Sequence, residues 1–144
     1  MRYAEQPFSD SGMAILHVDD QAVIREVVYR ALQVHGFDVA SVDGVGAAKR
    51  VLEERSDIAG ALLDERLKDG SGLELYDWIA VHHPAIAGHV AFLTGSADAE
   101  SFEPLVAAGC QIIKKPFEIV ELVRVVAEWE GVADVGPRVS DPGQ

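Results

Sequence analysis

Three apolar runs of this chain each finish on residues able to handle a phosphoryl group. Ala14-Ile-Leu-His-Val-Asp-Asp20 ends on an acidic pair, Ala61-Leu-Leu-Asp64 on a third carboxylate and Val90-Ala-Phe-Leu-Thr94 on a hydroxyl; Gln111-Ile-Ile-Lys-Lys-Pro116 adds a lysine tip. In an open parallel sheet, ligands sit at the carboxyl ends of the strands near the switch in strand order, so polar residues closing separate apolar runs are the signature of a site. Phosphoryl transfer to an aspartate needs an ionised carboxylate nucleophile, a divalent cation to neutralise the incoming oxygens, and further donors for the equatorial oxygens. Asp64 suits the first role, because the buried run before it fixes its backbone; alone, it would read as a strand-terminating Asp that caps a turn. Asp19 and Asp20 repel one another unless a cation or a positive side chain sits between them. Magnesium, which prefers oxygen ligands and retains waters, is the expected occupant. Asp20 could also serve as the N-cap of the following helix.

These tips require a particular scaffold. Apolar runs of strand length alternate with longer segments of helical period, the pattern of repeated βα units and a parallel sheet. A first helix is expected from about Ala22, with Val23, Val27 and Ala31-Leu32 as its buried stripe, ending at His35-Gly36. Val39 to Val42 reads as a short strand and Ala47 to Arg55 as a helix with Val51 and Leu52 inward. Ile58 to Leu63 is apolar on both faces, hence a central strand covered by helices. The Gly- and Asp-rich segment behind Asp64 reads as a flexible turn. A third helix starts near Ser71 to Leu73 and carries Leu75, Trp78 and Ile79 until Pro84, with Trp78 as core and His82 and His83 placed favourably near the C-terminal dipole. Val90 to Leu93 and Gln111 to Lys114 are the remaining strands, and a last helix from about Glu118 to Glu128 turns Leu122, Val125 and Val126 inward. The sum is an α/β, flavodoxin-like doubly wound (βα)5 fold, a five-stranded parallel sheet in the order 2-1-3-4-5.

At 144 residues and 49% hydrophobic composition, the chain suits one domain with a full core, residues 13–130, flanked by loose tails at 1–12 and 131–144. At that length the chain is expected to stand alone, without a second output domain. The net charge of −12 argues against a direct nucleic-acid surface, which needs clustered Lys and Arg. The single cysteine, Cys110, cannot form an internal disulfide and reads as a packing residue, since nothing basic flanks it on the helix side. No apolar N-terminal run precedes a small-residue cleavage site, so a cytoplasmic location without membrane insertion is expected.

The acidic pair Asp19-Asp20, the segment Asp64-Glu-Arg-Leu-Lys-Asp-Gly-Ser-Gly72, Thr94-Gly95 and Lys115-Pro116-Phe117 occur in one order with helix-sized spacers, and together they resemble the receiver domain of two-component response regulators. The resemblance runs from about Met13 to about Glu130. It implies a phosphorelay protein that accepts a phosphoryl group on Asp64 from a sensor histidine kinase or phosphotransfer protein and then switches partner binding. It also implies a phosphoacceptor, with no enzyme activity on an external substrate expected. By resemblance, Asp20 and Asp64 ligate Mg2+ with the backbone carbonyl of Arg66, and Asp19 acts mainly through water. Lys115 pairs with the acceptor carboxylate and later with the phosphoryl group, while strand alternation sends Lys114 to the other face. Thr94 hydrogen-bonds a phosphoryl oxygen, and Gly95 leaves room for it. The bond before Pro116 is expected to be cis. A second copy of the chain is among the partners the resemblance allows; the downstream partner is not specified.

Two departures stand out. Ile112 occupies the position three before Lys115 where Tyr or Phe is frequent, so the usual aromatic readout is in doubt; Phe92 and Phe117 could contribute to a different repacking. Pro104 falls inside the region Ala97 to Ala108 that should form the fourth helix, which is therefore short and starts near Glu103, or is kinked. By resemblance, the residues two beyond the acceptor and two beyond the threonine, here Arg66 and Ser96, border the path of a hydrolytic water, and their types suggest slow intrinsic loss of phosphate. The competing readings are a receiver segment of a hybrid kinase or longer regulator, a haloacid dehalogenase-type hydrolase and a flavodoxin-type carrier. The hydrolase needs an Asp two residues after the nucleophile, where Arg66 and Gln21 stand instead. The carrier needs a phosphate-cradling loop after the first strand, where Asp19-Asp20 would repel a phosphate.

Overall fold

The computed structural model describes residues 13–95 and 102–129. In chain order the elements are β1 (Ala14–Val18), α1 (Ala22–Val34), β2 (Asp38–Val42), α2 (Val45–Glu54), β3 (Ile58–Asp64), β4 (Arg66–Leu67), β5 (Gly70–Ser71), α3 (Gly72–His82), α4 (Pro84–Ala87), β6 (Val90–Thr94), α5 (Glu103–Ala107), β7 (Gln111–Lys114) and α6 (Ile119–Trp129). The main sheet is parallel and runs β2-β1-β3-β6-β7, the doubly wound order that the sequence implies.

Alternation along the strands divides the core into two layers. Leu16, Val18, Leu63 and Phe92 face Ala48 and Leu52 of α2 and Leu75 and Ile79 of α3. Ile15, Leu62, Leu93 and Ile113 face Val28 and Leu32 of α1 and Leu122, Val123 and Val126 of α6. All of β1 and β3 is buried, as expected for central strands covered on both sides. Each such aliphatic side chain contributes about 1.5–3 kcal/mol of burial. Trp78 packs at the margin of the first layer, with the His82 and His83 rings 4.7 and 5.3 Å from its own.

Four local features differ from the sequence reading or refine it. The stripe of α1 is rotated by one residue: Val23 and Val27 are 74% and 41% exposed, while Val28 and Leu32 are fully buried and Ile24 packs beside them. The helix is valine-rich in both registers, so period alone could not choose; Arg25 faces the β1 tip, where its Nη1 donates to the Asp19 carbonyl oxygen at 2.7 Å. The segment behind Asp64 is an antiparallel hairpin, β4 with β5, and not a flexible turn. Its Asp69 accepts from the backbone N–H of Val45 (2.7 Å) and Gly46 (3.0 Å), capping α2, whose own N-cap residue Gly44 has no side chain to do so. A one-turn helix, α4, begins at Pro84, where the sequence pattern indicates only a stop. Finally α5 is short and begins at Glu103, with Pro104 in its first turn, the first of the two alternatives. Residues 96–101, the start of the expected helix, lie outside the described residues, as do both expected tails.

Helix α3 begins directly behind the acceptor segment through a capping box between Ser71 and Glu74. Its first residue must be Gly: a Cβ on Gly72 would stand 2.4 Å from the Asp64 carbonyl oxygen. Because that neighbour is backbone, Gly72→Ala is expected to cost about 1–3 kcal/mol, as overpacking does. A urea denaturation midpoint equal to that of the unchanged chain would contradict this close approach.

Candidate functional site at the carboxyl edge of the sheet

The ladder register decides which tips meet. Val18 pairs with Leu63, so Asp19 lies beside Asp64. Asp64 pairs with Leu93 and Thr94 with Lys114, so Thr94 and Lys115 complete the same edge. Backbone hydrogen bonds extend the edge past the strand ends, from Asp19 N–H to Val42 O (3.1 Å), Glu65 N–H to Leu93 O (3.2 Å) and Lys115 N–H to Thr94 O (2.8 Å). The Lys115–Pro116 peptide is cis.

One carboxylate oxygen from each of Asp19, Asp20 and Asp64 lies within 4.8 Å of the other two. Asp19 is fully buried; its Oδ1 accepts from Gln21 N–H at 2.9 Å and its Oδ2 lies 3.4 Å from Lys115 Nζ. Asp20 is exposed, does not cap α1, and has no hydrogen bond among the described residues. Asp64 is buried and accepts from Lys115 Nζ at 3.0 Å. Lys115, not Lys114, reaches the acid cluster, while Lys114 is exposed. Arg66 opens β4 with an exposed side chain, and Ser96 lies outside the described residues. A Cβ built on Gly95 meets no described atom within 4 Å.

Electrostatics follow from this crowding. Burial pushes the Asp64 carboxyl up, the hydrogen bond from Lys115 opposes it and the charge of Asp19 reinforces it, leaving Asp64 above the ordinary range. For Lys115, burial works against the ammonium, but the Asp64 hydrogen bond and the charge of Asp19 outweigh it and raise its pKa. Three hard oxygen donors with one lysine between two of them make a site short of positive charge, and that donor set fits a magnesium ion.

Two residues at the site were not singled out from sequence. Thr94, itself buried, donates its hydroxyl to Glu65 Oε1, making Glu65 a fourth carboxylate in the constellation. His17 is fully buried beneath Asp19, and neither ring nitrogen has a hydrogen-bond partner among the described residues. The signal for His17 was present as a polar residue inside a run otherwise apolar on both faces. Its pKa is pushed down to about 3, by burial first and then by the charges of Lys115 and Arg25. Asp19 Oδ2, 3.9 Å from His17 Nε2, already faces Lys115 and does not offset this.

The sign of the His17 effect is definite. With a folded value of about 3 against 6.5, the folded state binds fewer protons, so this stability is complete above pH 6.5 and is lost as pH falls toward 3. In excess chelator, urea stability should therefore decline below that point by up to about 1.4 kcal/mol per pH unit. His17→Leu should flatten the upper part of the decline, before the carboxylates titrate. The same slope in the variant would assign the loss to other groups.

Comparisons with known proteins agree with this arrangement. Residues 15–127 match the response regulator receiver domain family. The transcriptional regulatory protein GltR of Pseudomonas aeruginosa is 34% identical over 117 residues, which are 80% of this chain and 48% of that protein. The probable transcriptional regulatory protein TcrX of Mycobacterium tuberculosis is 32% identical over 128 residues, 85% of this chain and 53% of that one. The chain thus spans about half the length of these curated relatives. Among solved structures, a CheY-like response regulator receiver domain protein from Methanospirillum hungatei superposes with a TM-score of 0.75 at 26% identity, covering 88% of this chain and all of that one. No helix among the described residues is long and apolar enough to cross a membrane. By sequence match and by fold, the chain belongs to the receiver domain family of two-component response regulators.

Proposed function

We propose that this receiver accepts a phosphoryl group on Asp64 from a sensor histidine kinase or phosphotransfer protein in the cytoplasm, and that the change at Thr94 alters binding to a downstream protein. The observation that carries the proposal is the convergence of Asp19, Asp20 and Asp64 with Lys115 reaching Asp64 at 3.0 Å. Burial pushes the Asp64 carboxyl up, and the hydrogen bond from Lys115 opposes that push, favouring the carboxylate oxygen that serves as the nucleophile. An Asp64 carboxylate oxygen bonds to phosphorus while the phosphorus–nitrogen bond of the donor phosphohistidine breaks, its electron pair returning to the imidazole. The product is an acyl phosphate on Asp64.

Asp20, Asp64 and the Arg66 carbonyl would hold magnesium directly and Asp19 through water; when bound, the ion neutralises the phosphoryl oxygens. Lys115 then pairs with the phosphoryl group, and the Thr94 hydroxyl donates to one of its oxygens. The Mg2+-dependent acyl phosphate is a modification of the chain itself, and no external-substrate turnover is proposed. The face of α5, β7 and α6 is the proposed output surface; Val106 and Val120 there are 56% and 60% exposed. The net charge of −12 disfavours nucleic acid as a direct contact of this unit.

Incubation with acetyl phosphate and magnesium should add one phosphoryl group to Asp64, detected by intact mass and peptide mapping. Asp64→Ala should abolish it, and persistent full labelling of that variant would falsify the acceptor assignment. Magnesium affinity should also separate the acidic pair. Asp20 makes no protein hydrogen bond among the described residues, whereas Asp19 is already engaged by Gln21 and Lys115. Asp20→Asn should therefore weaken binding more than Asp19→Asn in an isothermal titration, and equal affinities would remove the division of roles.

A further inference from the structure

Glu65 is the one carboxylate of the constellation to which the phosphoryl-transfer reading gives no part. Its backbone is fixed on both sides, for its N–H donates to Leu93 O at 3.2 Å and its own carbonyl accepts from Gly72 N–H at 3.0 Å. From that anchored position its Oε1 accepts the Thr94 hydroxyl. A threonine hydroxyl has a single proton to donate. A phosphoryl oxygen on Asp64 requires that same proton, so Glu65 and the phosphoryl group compete for one donor. The bond to Glu65 is charge-assisted and stronger than a neutral one, which makes it a serious competitor.

We propose that Glu65 is a positioning residue that holds the Thr94 hydroxyl away from Asp64 in the resting protein, so that phosphorylation goes to completion only as the Glu65–Thr94 hydrogen bond breaks. The inference rests on the reading of Asp64 as acceptor and Thr94 as donor. It adds an opposing element to the site: the residue next to the nucleophile sets how strong a phosphodonor must be to drive the switch. Once released, the half-buried Glu65 side chain can turn to water, leaving Thr94 committed to the phosphoryl group.

Glu65 also carries a negative charge near the incoming group, and repulsion alone would slow labelling. The two causes separate in a double-mutant cycle. The initial rate of Asp64 labelling by acetyl phosphate, at saturating magnesium and followed by intact mass, is measured for the unchanged chain, Glu65→Gln and Glu65→Met. Each is measured with Thr94 present and with Thr94→Ala. Glu65→Met should raise the rate about tenfold to hundredfold when Thr94 is present, the size of one charge-assisted hydrogen bond, and should have no effect in the Thr94→Ala background. Glu65→Gln, which keeps an acceptor oxygen without the charge, should fall between. An equal gain in both backgrounds assigns the effect to repulsion and overturns the inference, as does no gain in either. If Glu65→Met fails to fold by urea denaturation, Glu65→Gln takes its place in the cycle: a gain that needs Thr94 supports the inference, and a gain independent of Thr94, or none, overturns it. Failure of the unchanged chain to label at Asp64 rejects the acceptor reading itself, and the role of Glu65 with it.

Discussion

Three carboxylates gathered within 4.8 Å are the constraint around which this molecule is arranged. Left to themselves Asp19, Asp20 and Asp64 would move apart, and the single ammonium of Lys115 balances only part of their charge. Their proximity is enforced from below by the parallel register of β1 on β3 and by side chains that alternate into two separate cores. Hydrophobic burial thus works against electrostatic repulsion, and what remains is a pocket predisposed to take a cation. The raised Asp64 carboxyl records the same tension at a single group.

The two layers carry different duties. The layer under α1 and α6 lies on the side of the buried His17, whose ring nitrogens have no hydrogen-bond partner among the described residues, so next to the acid cluster stands a residue that burial keeps neutral as pH falls. The layer under α2 and α3 holds the aromatic pair of this end of the sheet: Tyr76 meets Phe92 edge-on at 5.9 Å between ring centres. Ile112, the register partner of Phe92, is half-buried against the same layer. The bulky rings therefore stand on α3 and β6, away from the edge strand, where a large rotation has no aromatic side chain to perform it. Phe117 packs in the opposite layer and is separated from Phe92 by the sheet.

Much of this was legible in the chain because strands announce themselves twice, by apolar content and by the polar residue that ends them. Ile58 to Leu63 and Gln111 to Lys114 match the observed strands to within a residue, and the choice of Lys115 over Lys114 came from the family resemblance, with alternation sending Lys114 to the other face. The register of α1 was not legible, since valines at 23, 27 and 28 satisfy two stripes and the deciding contact, Arg25 with the Asp19 carbonyl, is tertiary. The hairpin behind Asp64 was hidden for a related reason. Its stability comes from Asp69 capping a helix more than 20 residues earlier in sequence, which no local pattern encodes. Glu65 escaped notice because it lies just past the strand, where alternation no longer says which way a side chain turns.

The lone cysteine gives the corner around α5 a chemical clock. Cys110 is buried with Phe102 and Leu105 of that corner and lies beside Tyr76, and burial pushes its thiol above the ordinary range. A thiol that is both covered and protonated reacts slowly with alkylating reagents. Its modification therefore waits on excursions that uncover the corner, and the pace of alkylation counts those excursions without an introduced probe. Since β7 begins at the next residue, the clock sits between the short helix and the strand that leads into Lys115.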